Sequence, residues 1–145
     1  MFNKIVVGLD GSEASENALR ITCDLARKYG SEIHLVNTPH LETLAVSIGG
    51  GGAVSITPSQ DELDGVGAMV LEKGCNIAKK YGQTITKTHL VHGNAADQIV
   101  HCANECGADL IVTGRRGLGN LTGMILGSTS QRVNHYAKCA CLTIA

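Results

Sequence analysis

The chain has 145 residues, 43% of them apolar and 17% charged, with a formal net charge of -1. That length fits one domain, 1–145, able to bury roughly two-thirds of its unfolded surface in a single core. The charge balance lacks the basic excess of a nucleic-acid binder, no stretch approaches the ~20 apolar residues of a membrane span, and MFNKIVVGLD is interrupted by Asp10 too soon for a secretory signal. A cytoplasmic protein without nucleic-acid or membrane partners is predicted.

Residues 3–9 (NKIVVGL) form a short apolar run that stops at the turn signal Asp10-Gly11-Ser12, as a buried parallel strand does. Ser12 then caps a helix to about Tyr29, in which Ala14, Ala18, Leu19, Thr22, Leu25 and Ala26 recur at helical spacing and Gly30 supplies the stop. EIHLVN (32–37) reads as the second strand. A long polar, glycine-rich passage (38–59) leads to a helix over about 60–81 closed by Gly82, and ITKTHLVH (85–92) alternates as a third strand.

Asn94 caps the next helix, with Asp97 in its first turn and Gly107 as its stop, before the strand DLIVTG (109–114). After a glycine-rich loop, Ser128 to about Ala137 reads as the last helix and CACLTIA (139–145) as the final strand. Five strands alternating with four helices predict an α/β fold. Its sheet is open, mostly parallel and Rossmann-like, with helices on both faces and right-handed crossovers. Such sheets take ligands beyond the carboxyl ends of their strands, where the strand order reverses. With strand one central, its end at Asp10 and the end of the fourth strand at Gly114 would face one cleft.

Six cysteines (Cys23, Cys75, Cys102, Cys106, Cys139, Cys141) read as reduced core thiols in a chain without a secretory signal. Cys102 and Cys106 share a helix face and Cys139 and Cys141 a strand face, without the second close pair that a four-ligand zinc site needs.

The stretch GRRGLGNLTGMILGSTS (114–130) concentrates glycines, arginines and hydroxyls. It is not a P-loop, because Gly127 is followed directly by Ser128 with no lysine for the β and γ phosphates. Nor is it a dinucleotide fingerprint, since Gly117 and Gly119 would need a third glycine where Thr122 stands. What remains is Gly114-x2-Gly117-x9-Gly127-Ser128. Glycine lets backbone approach an anion closely, and the first turn of a helix opening at Ser128, Thr129 and Ser130 offers unpaired N–H groups, hydroxyls and the positive end of the helix dipole.

That spacing, with the opening IVVGLDGS, the strand EIHLVN, GADLIVTGRRG and the LGSTSQRV turn, resembles the ATP-binding subgroup of the universal stress protein family, whose fold is adenine nucleotide alpha hydrolase-like. The resemblance runs the length of the chain. It implies a nucleotide-responsive regulatory dimer of the stress response, holding ATP with Mg2+ or another adenine nucleotide such as AMP. The phosphates would lie between Gly114, Gly117 and Gly127 to Ser130, with Arg116 neutralising charge and Arg115 a second candidate. The adenine would rest near Val36, and Leu9, Asp10 and Thr113 would line the nucleoside, Asp10 also holding the cation with the phosphates. The homodimer would pair residues 139–145 across a two-fold axis, where Ala140 replaces the proline that members often carry there.

Other roles suit the same residues: helix entry for Asp10, core for Val36, solvated charge for Arg115 and Arg116, and a plain mobile loop for the glycines. A weak ATP hydrolase and a nucleotide-independent dimeric interaction module are the competing functions; no catalytic residue is assigned. The run Gly49 to Gly52 reads as a linker within a 38–59 segment that would fold over the ligand as a lid, Asn120-Leu121-Thr122 as a sequon without consequence inside the cell, and His92 as a strand-end histidine with no acidic partner.

Overall fold

The computed structural model describes residues 1–40, 57–118 and 126–145. Continuous apolar runs make the inner strands: β1 (Lys4–Gly8), β2 (Glu32–Asn37) and β4 (Leu110–Gly114) present side chains to packed helices on both faces, so both odd and even positions are buried. The edges are β3 (Lys87–Leu90) and β5 (Ala140–Ile144), and the order is β3-β2-β1-β4-β5 with every pairing parallel. β1 is therefore central, and the chain reverses its direction of travel across the sheet between β1 and β4.

Helix α1 (Glu13–Tyr29) begins where the Ser12 side chain accepts from Ser15 N–H, and it ends at Gly30, whose φ of 69° is the left-handed value that favours glycine. α2 (Gln60–Lys80) opens on a reciprocal capping box between Ser59 and Glu62. α3 (Ala95–Cys106) is capped by Asn94 and stopped by Gly107; α4 (Ser128–Tyr136) opens at Gly127, which has no side chain to cap it. One core layer joins Ile5, Val7, Ile33, Leu35 and Val112 to Leu19, Cys23 and Ala26 of α1 and Leu71, Ile77 and Ala78 of α2. The other joins Val6, Val36 and Ile111 to Ile99, Cys102 and Ala103 of α3 and Val133 of α4. All six cysteines are free thiols.

Some boundaries differ from those predicted. β3 spans four residues rather than 85–92, because an edge strand has a single neighbour and keeps only the part of its alternation that β2 can pair. α2 stops at Lys80, α4 at Tyr136, and β5 begins at Ala140. Gly49 to Gly52, the sequon at 120–122 and the interiors of both the 38–59 passage and the glycine loop lie outside the described residues. Among the described residues no helix is long and apolar enough to cross a membrane, and no three His, Cys, Asp or Glu side chains are grouped to hold a metal.

Candidate functional site

At the carboxyl edge of β1 the chain continues extended, and Leu9 N–H donates to the Val36 carbonyl at 2.8 Å. The Asn37 amide Nδ2 donates back to the Leu9 carbonyl at 2.7 Å, fixing the ends of β1 and β2 side by side. Asp10 then turns into α1: its Oδ1 accepts from Ser12 N–H at 2.9 Å and from the Ser12 hydroxyl at 2.5 Å. Helix entry is thus one of its roles. Its other oxygen, Oδ2, faces Gly117, where an added Cβ would stand 2.5 Å away.

β4 leaves the sheet against the start of α1. A Cβ at Gly114 would lie 2.9 Å from Ser15 N and 3.0 Å from the Ala14 carbonyl carbon, a backbone approach that only glycine allows. The two described ends of the glycine loop meet at Arg115. Its carbonyl accepts from Gly127 N–H at 2.7 Å and from the Ser130 hydroxyl at 3.1 Å, and its N–H donates to the Ile144 carbonyl of β5. Ser130 Oγ also lies 3.0 Å from the Gly127 carbonyl, so this 1% exposed hydroxyl spends its proton on the fold. The N–H groups of Ser128, Thr129 and Ser130 are those a helix leaves without intrahelical partners, and among the described residues no side chain caps them.

Between these turns is a cleft of about 200 Å³. The structure brings all the predicted site residues to its wall: Leu9, Asp10 and Val36 from β1 and β2, Thr113, Gly114, Arg116 and Gly117 from β4 and its exit, and Gly127, Ser128, Thr129 and Ser130 from the start of α4. Arg115 and Arg116 are exposed at its rim and, among the described residues, neither is ion-paired. The cleft thus has an apolar end and a cationic, N–H-rich end, an arrangement receptive to an anion attached to a flat apolar body.

Sequence reasoning missed Gly8, Ser15, Thr38, His40, Ala95, Ile99 and Leu118 on the same wall. Val36, Thr38 and His40 face the cleft by the alternation of an extended chain carried past the end of β2. Asn37 and Pro39, between them, pack against α2 at Gly67. Ala95 and Ile99, one helical turn apart, face it from α3. His92 does not line the cleft and does have an acidic neighbour: its Nε2 lies 3.5 Å from Asp64 Oδ1 and its Nδ1 3.1 Å from Gln60 Nε2, both on α2.

Sheet order, crossover and cleft together define a doubly wound α/β protein with its site at the topological switch point. The chain belongs to the universal stress protein family, which its sequence matches over residues 1–145. It is 30% identical to universal stress protein YxiE of Bacillus subtilis over 149 aligned positions, covering 99% of each chain. Among solved structures it resembles a universal stress protein in complex with cAMP, at a TM-score of 0.74 and 24% identity over 99% of this chain and 97% of that one. It also resembles the Archaeoglobus fulgidus protein in complex with dAMP, at a TM-score of 0.70 and 24% identity over 99% and 98%. At that identity the two likenesses establish the fold.

Proposed function

We propose that this chain binds an adenine nucleotide in the switch-point cleft and acts as a nucleotide-responsive regulatory homodimer of the stress response. The carrying observation is the meeting, in one cleft, of the uncapped start of α4, two glycines pressed against Ala14, Ser15 and Asp10, and two guanidinium groups without carboxylate partners among the described residues. The cAMP and dAMP carried by two neighbours of the same fold agree with that reading. In this proposal the phosphates lie between Gly114, Gly117 and the N–H groups of Ser128, Thr129 and Ser130, with Arg116 against them. The base lies over Val36, and Leu9, Asp10 and Thr113 flank the sugar.

ATP is the preferred ligand in this reading, and Asp10 Oδ2, the carboxylate oxygen not bonded to Ser12, is the oxygen available to Mg2+. β5, which has a neighbour on one side only, is the edge along which two copies would pair, from 139 to 145.

The test is the melting temperature with and without saturating Mg-ATP, with AMP and GTP as controls. A ligand at ~100 times its dissociation constant adds about 2.7 kcal/mol. For a domain of this size that is a rise of roughly 5 to 10 °C, at about 2 to 4 °C per kcal/mol. Ser128→Ala and Arg116→Ala should shrink the rise while leaving the unliganded melting temperature nearly unchanged. No rise in protein shown free of copurified nucleotide would sink the proposal in favour of a nucleotide-independent dimer module.

A further inference from the structure

On the α3-facing side of the sheet, outside the lining of the cleft, two histidines 55 residues apart in sequence meet across β2 and β3: His34 Nδ1 lies 3.2 Å from His89 Nε2. The ring planes are within 18° and their centroids 5.5 Å apart. The centroid separation exceeds the nitrogen separation by about the radii of two five-membered rings, so the imidazoles meet edge to edge. Two nitrogens aimed head-on leave no room for a metal between them. They do form an N–H···N hydrogen bond, which requires one donor and one acceptor. At most one of the two facing nitrogens carries a proton while the bond lasts.

We infer that His34 and His89 are a proton-operated clasp on edge strand β3, closed while the facing nitrogens share one proton and opened when a second arrives. Among the described residues this is the one side-chain hydrogen bond between β2 and β3. β3 has four residues and, among the described residues, pairs with β2 alone.

A doubly charged pair has nowhere to go inside the sheet. His34 is 6% exposed and its Nε2 has no hydrogen-bond partner among the described residues, so a charge there is poorly hydrated, and a second cation on half-buried His89 would face it nitrogen to nitrogen at 3.2 Å. The charged neighbours come from three strands: Lys4 of β1, Glu32 of β2, whose carboxylate stands 3.8 Å from His34 Nε2 and 3.5 Å from Lys4 Nζ, and Lys87 of β3, which pairs with His34 in register. From α3 the thiols on this side are Cys102, within electrostatic reach of Lys87 and pushed up by burial, and Cys106, packed in the same layer. α2 packs on the opposite face, against Ile33, Leu35 and Leu90. Burial and then Lys4 lower the proton affinity of His34, and burial and then His34 itself lower that of His89. Glu32 favours a first proton on His34; nothing favours a second on His89.

The test needs no ligand in the cleft. Imidazole nitrogen shifts and amide protection factors would be followed by NMR from pH 8 to 4.5 in the parent protein, in His89→Phe and in His89→Gln. Two separated, coupled titration steps are expected for His34 and His89, with protection at 87–90 falling at least tenfold through the second while 4–8 stay protected. In both variants His34 should titrate in one step and the acid-linked loss at 87–90 should vanish. Independent single-step titration of the two parent rings would overturn the inference, as would constant protection at 87–90 through the acid limb. If neither variant folds, the parent titration alone decides.

Discussion

Two glycines of α2, Gly65 and Gly67, are two residues apart in sequence and sit in opposite circumstances. A Cβ at exposed Gly65 meets nothing within 4 Å, so Gly65→Ala collects only the helix preference of alanine. That is about 0.5–1 kcal/mol. At about 2–4 °C per kcal/mol for a domain near this size, the melting temperature should rise by roughly 1–4 °C. At buried Gly67 the same methyl would drive into Leu90 Cδ1, stand 2.6 Å from Asn37 Oδ1 and 3.3 Å from Pro39 Cβ. Overpacking of that kind costs about 1–3 kcal/mol, which outweighs the helix gain. Gly67→Ala should therefore lose on the order of 1 kcal/mol net.

Asn37 and Pro39 also hold the strand extension whose alternate residues, Val36, Thr38 and His40, wall the cleft. Gly67→Ala should consequently weaken nucleotide-induced stabilisation, and Gly65→Ala should leave it alone. Thermal unfolding followed by circular dichroism, with and without Mg-ATP, reads both effects. Equal stability of the two variants would refute the close packing of α2 on this wall.

Asn37→Ala removes the buried amide that donates to Leu9 and should cost about 1–3 kcal/mol in urea denaturation, with an unchanged denaturant slope. Ser12→Ala loses the α1 cap, about 1 kcal/mol, and removes the hydroxyl bond to Asp10 Oδ1 while the backbone N–H bond stays, so any Mg2+ dependence of nucleotide binding should change with it. Burial, followed by Asp24, pushes the Cys23 thiol up to about 11, leaving about one part in a thousand as thiolate at pH 8. Ellman's reagent should therefore miss Cys23 until the chain unfolds. Because folded His34 and His89 hold protons less tightly than the unfolded chain does, stability should be level above about pH 6.5 and fall as pH drops below it. Replacing His89 by Phe should flatten that acid slope in urea titrations.

Much of this architecture could be read from runs and stops. The apolar stretches of β1, β2 and β4 and the cap-and-glycine pairs around α1 and α3 are local signals, and locally they were answered. The glycine spacing from 114 to 128 pointed at one place because backbone that must approach an anion leaves its mark in the local residue types, although the partners it also packs against, Ala14, Ser15 and Asp10, lie about a hundred residues away. What escaped depends on partners far along the chain. Nothing near ITKTHLVH announces that its strand lies at the sheet edge and pairs over four residues. The cleft wall beyond Val36 keeps the strand's alternation, but its residues Thr38 and His40 are polar and past the last ladder position, so no apolar pattern marks them. His92 and Asp64 are joined by the packing of α2, and His34 and His89 by the register of β2 on β3.

The backbone of one residue holds together more of this molecule than its exposed side chain suggests. The backbone of Arg115 reaches β5 through Ile144 and α4 through Gly127 and Ser130, three contacts from a single residue at the lip of the cleft. The start of α4 and the outermost strand are therefore two hydrogen bonds apart, from Gly127 N–H to the Arg115 carbonyl and from Arg115 N–H to Ile144.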